Sequence, residues 1–195
     1  ITFRANDLFV AKESVGQVTG TLAVRGAELS GEMDATSPSL ALTSTGRLTL
    51  TARGDGEITF RFRDTTIDPY VRLFAPNLSP IMTAVVSGSV HVTGGLAELD
   101  RLFADGTVDD RLSVDVVVDQ VDMQILKYSV KNARPIHLVL EERQLRAVDL
   151  ELVGDETRLI VWGTLGLQDR RVALEVYGEA QLDIIEGFLP DVRGS

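Results

Sequence analysis

The chain has 195 residues, 44% of them hydrophobic, and its 29 Asp and Glu outweigh 19 Lys and Arg to give a formal charge of -10. That length suits one β domain or two modules sharing a sheet, and the apolar fraction excludes wholesale disorder. The acidic balance argues against a non-specific nucleic-acid binder, which needs cations facing phosphate, and zero cysteine removes disulfides and thiolate metal sites.

In chain order, the first third reads as strand and turn. Ile1 to Val10 is weakly patterned, and Val15 to Val24 and Ala27 to Ala35 flank a turn at Arg25-Gly26. Leu40 and Leu42 alternate with Ala41 and Thr43, and Leu48 and Leu50 resume the pattern after Gly46. Arg53-Gly54-Asp55-Gly56 is a hairpin signal rather than an adhesion tripeptide, because Asp-Gly suits turn positions with positive φ. Ile58, Phe60 and Phe62 then alternate with Thr59, Arg61 and Arg63, one face apolar and the other wet.

Two short helices are expected next. Asp68 can cap a helix opened by Pro69 and closed at Pro76, and Ser79-Pro80 repeats that arrangement ahead of Ile81, Met82, Ala84, Val85 and Val86. Strand returns at Ser89 to Thr93 and ends at Gly94-Gly95. Leu112, Val114, Val116 and Val118 alternate with Ser113, Asp115, Val117 and Asp119. Strands at 145–153, 158–165 and 171–182 follow, with Val148, Leu150 and Leu152 in one phase and Val172, Leu174 and Val176 in another; short turns make this half an antiparallel meander. A third helix is expected at Asp183 to Leu189, before Pro190. The stretches ending at Pro76 and Pro190 resemble each other, each with a short helix, an aromatic and then small residues, which suggests a long internal repeat with boundaries near 67–94 and 180–195.

Sites for chemistry are sparse. His91 and His137 lack metal-ligand spacing, no phosphate loop or nucleophile elbow is present, and the pairs Asp109-Asp110 and Glu141-Glu142 would diverge to opposite faces of a strand. No enzyme activity, metal or cofactor is expected. Trp162 follows Leu159, Ile160 and Val161, where both strand phases are apolar; this favours a central core position, with a rim position against lipid or a neighbouring module as the alternative. The apolar strand faces need a cover. A second sheet, docked helices or an apolar ligand would each serve.

The stretch from Ile67 to Leu96, with Asp-Pro-Tyr, Ser-Gly-Ser and Gly-Gly-Leu, and the tail from Gly178 to Ser195, with Ile-Ile-Glu-Gly-Phe-Leu-Pro, resemble the TamB family of translocation and assembly module subunits, within the AsmA-like, repeating β-groove group of bridge-like lipid-transfer proteins. The resemblance implies an all-β fold with two or three short helices, in which an elongated, curved antiparallel sheet forms an open taco-shaped groove. It implies a fragment of a longer periplasmic protein from a Gram-negative-type bacterium, anchored in the inner membrane, that moves phospholipid to the outer membrane and supports outer-membrane assembly. Phospholipid acyl chains, an outer-membrane β-barrel of the Omp85 type and adjacent β modules of the same chain would be its partners. Phe60, Phe62, Val114, Val116, Val148, Leu150, Val172 and Leu174 would line the groove. The competing expectation is a closed β-sandwich acting as a structural or protein-binding module.

Overall fold

The computed structural model describes residues 1–10, 13–52, 54–68, 82–96, 111–141, 144–154, 156–166 and 171–179. Among these residues twelve strands make up one antiparallel sheet: β1 (Thr2–Val10), β2 (Glu13–Arg25), β3 (Glu28–Ser37), β4 (Leu40–Thr49), β5 (Asp55–Thr66), β6 (Met82–Gly95), β7 (Ser113–Ile125), β8 (Tyr128–Asn132), β9 (Ile136–Glu141), β10 (Gln144–Gly154), β11 (Thr157–Gly166) and β12 (Val172–Glu179). Each strand lies beside its neighbour in sequence, except that β8 and β9 share one position between β7 and β10. Among the described residues the sheet path starts at β1 and ends at β12 with no pairing between them, the arrangement of an open sheet and not of a closed barrel. The turn expected at Arg25-Gly26 falls between β2 and β3, with Gly26 at φ 62°. Of the second expected turn, Gly54 (φ 58°) lies in the connection before β5, but Asp55 and Gly56 are already paired strand residues, so Asp-Gly is not the turn.

Directly paired residues project from the same face, so the register separates two surfaces. One row runs Leu22, Gly31, Gly46, Ile58, Val92, Val114, Leu140, Leu145 across eight strands. The next row, one residue along each strand, runs Thr21, Glu32, Thr45, Thr59, His91, Asp115, Val139, Arg146. The sheet is therefore apolar on one side and mainly polar on the other. Among the strand residues that are buried and apolar, Val18, Ala35, Ala84, Val121, Val130 and Leu140 share the apolar side, and Val139 faces the other way.

The apolar side packs within itself in three patches. Val18, Ala35 and Leu40 gather Phe3, Met33 and Leu42; Val92, Leu112 and Leu140 gather Phe60, Val114 and Leu145; Ile125 and Val130 gather Met82, Met123 and Leu152. Each patch draws on strands adjacent in the sheet. No described patch joins distant strands as the facing layers of a sandwich would.

The sheet curls toward its apolar side. From β5 to β11 the ladders carry a line of irregularities at one height. Arg63 and Asp64 (φ 44°) are inserted opposite Ser87, Asp119 is extra between the pairs Gly88–Val118 and Ser87–Gln120, Ala133 to Pro135 separate β8 from β9, and Val148 is extra between Ala147–Leu138 and Asp149–His137. Residues 63, 64, 119, 133–135 and 148 are all exposed. Bulges bend the strand that carries them, and residues added on the outer side lengthen that side, so the apolar face becomes concave. At Gly88 the carbonyl oxygen of Val117 occupies the space a Cβ would need, so only glycine permits this approach.

The structure corrects the second expected helix. Met82 to Val86 is strand, with Met82, Ala84 and Val86 opposite Ile125, Met123 and Val121; apolar residues in both phases, through Val85, hide its two-residue period. Asp68 marks the end of the β5–β6 ladder, its carboxylate accepting the Ala84 N–H at 2.9 Å. The first helix from Pro69 on, the third helix, and most of both copies of the proposed repeat lie outside the described residues.

Candidate functional site

The concave apolar face contains a hollow of about 390 Å³ where β1 to β5 meet, lined by Phe3, Leu22, Met33, Leu48, Ile58 and Leu96 among others. Its size is at the low end for small-molecule sites. It exists because Gly31 and Gly46 pair directly across β3 and β4 and leave two adjacent positions without side chains. Large neighbours lie down over the vacancies. The Leu22 Cδ2 sits 2.6 Å from where a Gly31 Cβ would be, a Phe3 ring carbon 2.7 Å from that of Gly20, and the Ile58 Cγ1 3.0 Å from that of Gly46. The floor is thus a thin layer of apolar carbon on bare backbone, open on the concave side.

The outer face over the same two glycines has a second hollow, of about 400 Å³, lined by Thr21, Ser30, Glu32, Thr45, Arg47, Glu57, Thr59 and His91. Its polar groups engage one another. Thr21 donates to Glu32 at 3.1 Å, the Thr59 hydroxyl and His91 Nδ1 lie 2.9 Å apart, and Arg47 forms an ion pair with Glu57, its cross-strand partner. Hydrogen bonding from Arg47, reinforced by its charge, holds the Glu57 carboxyl below its usual range and raises the Arg47 guanidinium in turn. His137 Nε2 lies 2.8 Å from Asp115 Oδ2 on the same face. Among the described residues no group of three or more His, Asp or Glu is arranged to hold a metal ion, and no helix is long and apolar enough to cross a membrane.

The residues expected to line a groove are distributed as follows. Phe60, Phe62, Val114 and Val116 are half-buried on the concave face; Phe60 and Val114 join the patch around Val92, Phe62 closes over Gly88, and Val116 pairs with Val90 and Leu138. Leu150 is half-buried and pairs with Val161. Val148 is the extra residue of its bulge and is 42% exposed, so it drops out of the row that Leu150 and Leu152 continue. Val172 and Leu174 pair through the backbone with Leu165 and Gly163; their side chains lie outside what is described. Trp162 is not in the core: it is 40% exposed, opposite the Val148 bulge, and its indole donates to Glu175 at 3.0 Å.

Leu22, Leu29, Met33, Leu48 and Leu96, which line the hollow, were not among the expected groove residues. A signal for them exists: Gly20 with Leu22, Gly31 with Met33 and Gly46 with Leu48 are each two residues apart, so the glycines lie in the apolar phase. Set against family models, curated proteins and solved structures, the chain matches none of them. The groove itself therefore carries the functional reading.

Proposed function

We propose that the concave face holds phospholipid acyl chains, as one segment of a longer trough that carries lipid between two membranes. The observation that supports this is the hollow between Phe3 and Leu96, an open apolar floor backed by a polar outer face. Such a surface suits a chain-like apolar guest, because burial contributes roughly 0.8 kcal/mol per CH₂ without any directional partner. Weak, non-directional holding also permits release. The resemblance to the TamB family supplies the proposed setting: a periplasmic fragment of an inner-membrane-anchored parent, continued by adjacent β modules and working with an outer-membrane β-barrel of the Omp85 type. In this reading the chain is a carrier and not an enzyme, and it needs no cofactor.

The test places a photoreactive side chain at Ile58 on the floor of the hollow and another at Thr45 on the outer face. After irradiation in cells, phospholipid attached at Ile58 and absent at Thr45 is the expected mass-spectrometric result. Protein captured at Ile58 with no lipid would favour the competing reading of a protein-binding β module.

A further inference from the structure

The aligned irregularities from β5 to β11 divide the concave face into two walls. Below the line, Val92, Leu112 and Leu140 pack with Phe60, Val114 and Leu145; above it, Ile125 and Val130 pack with Met82, Met123 and Leu152. Neither patch as described crosses the line. Ladder bonding also stops there: β7 pairs with β9 as far as Val118–Ile136 and with β8 only from Asp122–Lys131.

Side chains bridge the interruption instead. Asn132 accepts the Val121 N–H at 2.7 Å and donates to the carbonyls of Asp119 and Arg134 at 3.0 and 2.8 Å. The Ser87 hydroxyl accepts the Asp64 N–H at 2.9 Å, and the hydroxyl of Thr65, which is buried, bridges the backbone of Ala41 and Arg63. Glu151 is gripped by Arg158 at 2.8 Å and Arg134 at 3.4 Å, and its carbonyl accepts the Ala133 N–H.

We infer that this line is a crease along the floor of the trough, about which the two walls turn to widen or narrow it, with Asn132 and Ser87 as the clasps that set the resting angle. The physical basis is the contrast in cooperativity: each wall is held by continuous ladders and its own apolar patch, whereas the crease is held by a few side-chain hydrogen bonds, several of them exposed to water. A guest that contacts both walls then biases the angle in proportion to its differential affinity for the wide form. This last part rests on the lipid reading above.

The chain has no cysteine, so pairs of introduced cysteines take spin labels without background. One pair, Ser129→Cys with Arg146→Cys, spans the crease beside Asn132; a second, Thr83→Cys with Thr93→Cys, spans it beside Ser87; a third, Glu28→Cys with Thr36→Cys, lies within the regular β3. Asn132→Leu is expected to broaden the first distance distribution, and Ser87→Ala the second, by about twofold, with the third unchanged. Ser87→Ala removes only a surface clasp, which keeps the test decisive should Asn132→Leu impair folding. Unchanged distributions across the crease in both variants would overturn the inference and leave a rigid bend. Dioleoylphosphatidylglycerol vesicles are then mixed with the chain carrying intact clasps. Lipid recovered with the chain while the distances stay fixed defeats the crease and spares the lipid reading. Distances that respond to the clasps with no lipid recovered do the reverse.

Discussion

Strands β2 to β4 run in unbroken register, from Gln17 opposite Thr36 to Thr49 opposite Glu28, whereas every step from β5 to β11 contains a shift or a break. Both regions keep one face apolar. In the regular region the face is thinned by glycine, at Gly20, Gly31 and Gly46, and the result is an open hollow. In the irregular region it is bent by residues added on the outer side, and the result is two packed walls. Removing side chains from a sheet face makes space, while adding residues to its back makes curvature. A trough needs both, and this chain assigns them to different strands.

The largest effect is expected where curvature depends on glycine. At Gly88 a Cβ would collide with the Val117 carbonyl oxygen, a backbone atom held by its own ladder, so Gly88→Val should destabilise by about 3 kcal/mol or more and abolish a cooperative urea transition. At Gly46 the nearest atoms are the Glu57 carbonyl oxygen and the Ile58 Cγ1, both at 3.0 Å and so farther off than the carbonyl at Gly88; the Glu57 carbonyl need yield only slightly, and the Ile58 side chain can swing aside. Gly46→Ala should therefore cost only about 1 kcal/mol while filling part of the hollow. Equal losses in the two variants would show that the regions do not differ in this way.

An intermediate effect is expected from the crease. Thr65 is 4% exposed and its hydroxyl meets the backbone of Ala41 and Arg63, so Thr65→Val keeps the shape but leaves those groups short of a partner. A loss of about 1–2 kcal/mol is expected, read as a lower urea midpoint at constant slope. Thr45→Val, on the exposed outer face of the regular region, should stay within about 0.5 kcal/mol. A larger loss at Thr45 than at Thr65 would remove the distinction.

Much of the sheet was legible in the sequence because its signal is local. Ile58, Phe60 and Phe62 alternate with polar neighbours, the turns at Gly26 and Gly54 carry residues that tolerate positive φ, and Asp115 and Glu151 fall on the outer face as scattered acids should. The bulges were not legible. Val148 continues the even-numbered series of Leu150 and Leu152, yet Leu145 and Ala147, in the odd phase, occupy that face below the crease. An inserted residue that reverses the phase looks in sequence like a strand apolar on both sides. The same ambiguity hid the strand at Met82–Val86 and pointed Trp162 inward, although it lies on the outer side of β11 and is exposed. The hollow was missed for the opposite reason, since glycine in the apolar phase reads as a gap in the pattern rather than as space on the face.

The smallest effect belongs to the outer face of the regular region. Arg47 and Glu57 are cross-strand partners whose side chains are 65% and 43% exposed. Arg47 holds the Glu57 carboxyl below its ordinary value of 4.5 by hydrogen bonding first and charge second, with a minor contribution from His91. A carboxyl whose pKa is lower folded than unfolded stabilises the fold at pH values above the unfolded pKa, and that stabilisation fades as pH falls through the folded one. Glu57→Gln should therefore lower the melting temperature slightly at neutral pH, by less than Thr65→Val does, because water and salt screen an exposed pair. The difference from the native chain should fade as pH falls below the ordinary carboxyl value of 4.5, and it should shrink in roughly 1 M salt. A difference that persisted at low pH would mean that Glu57 acts through hydrogen bonding of its terminal group and not through its charge, because glutamine keeps the same methylenes. The polar face of the hollow region would then be held by hydrogen bonds such as those of Thr21 and Thr59, and not by ion pairing.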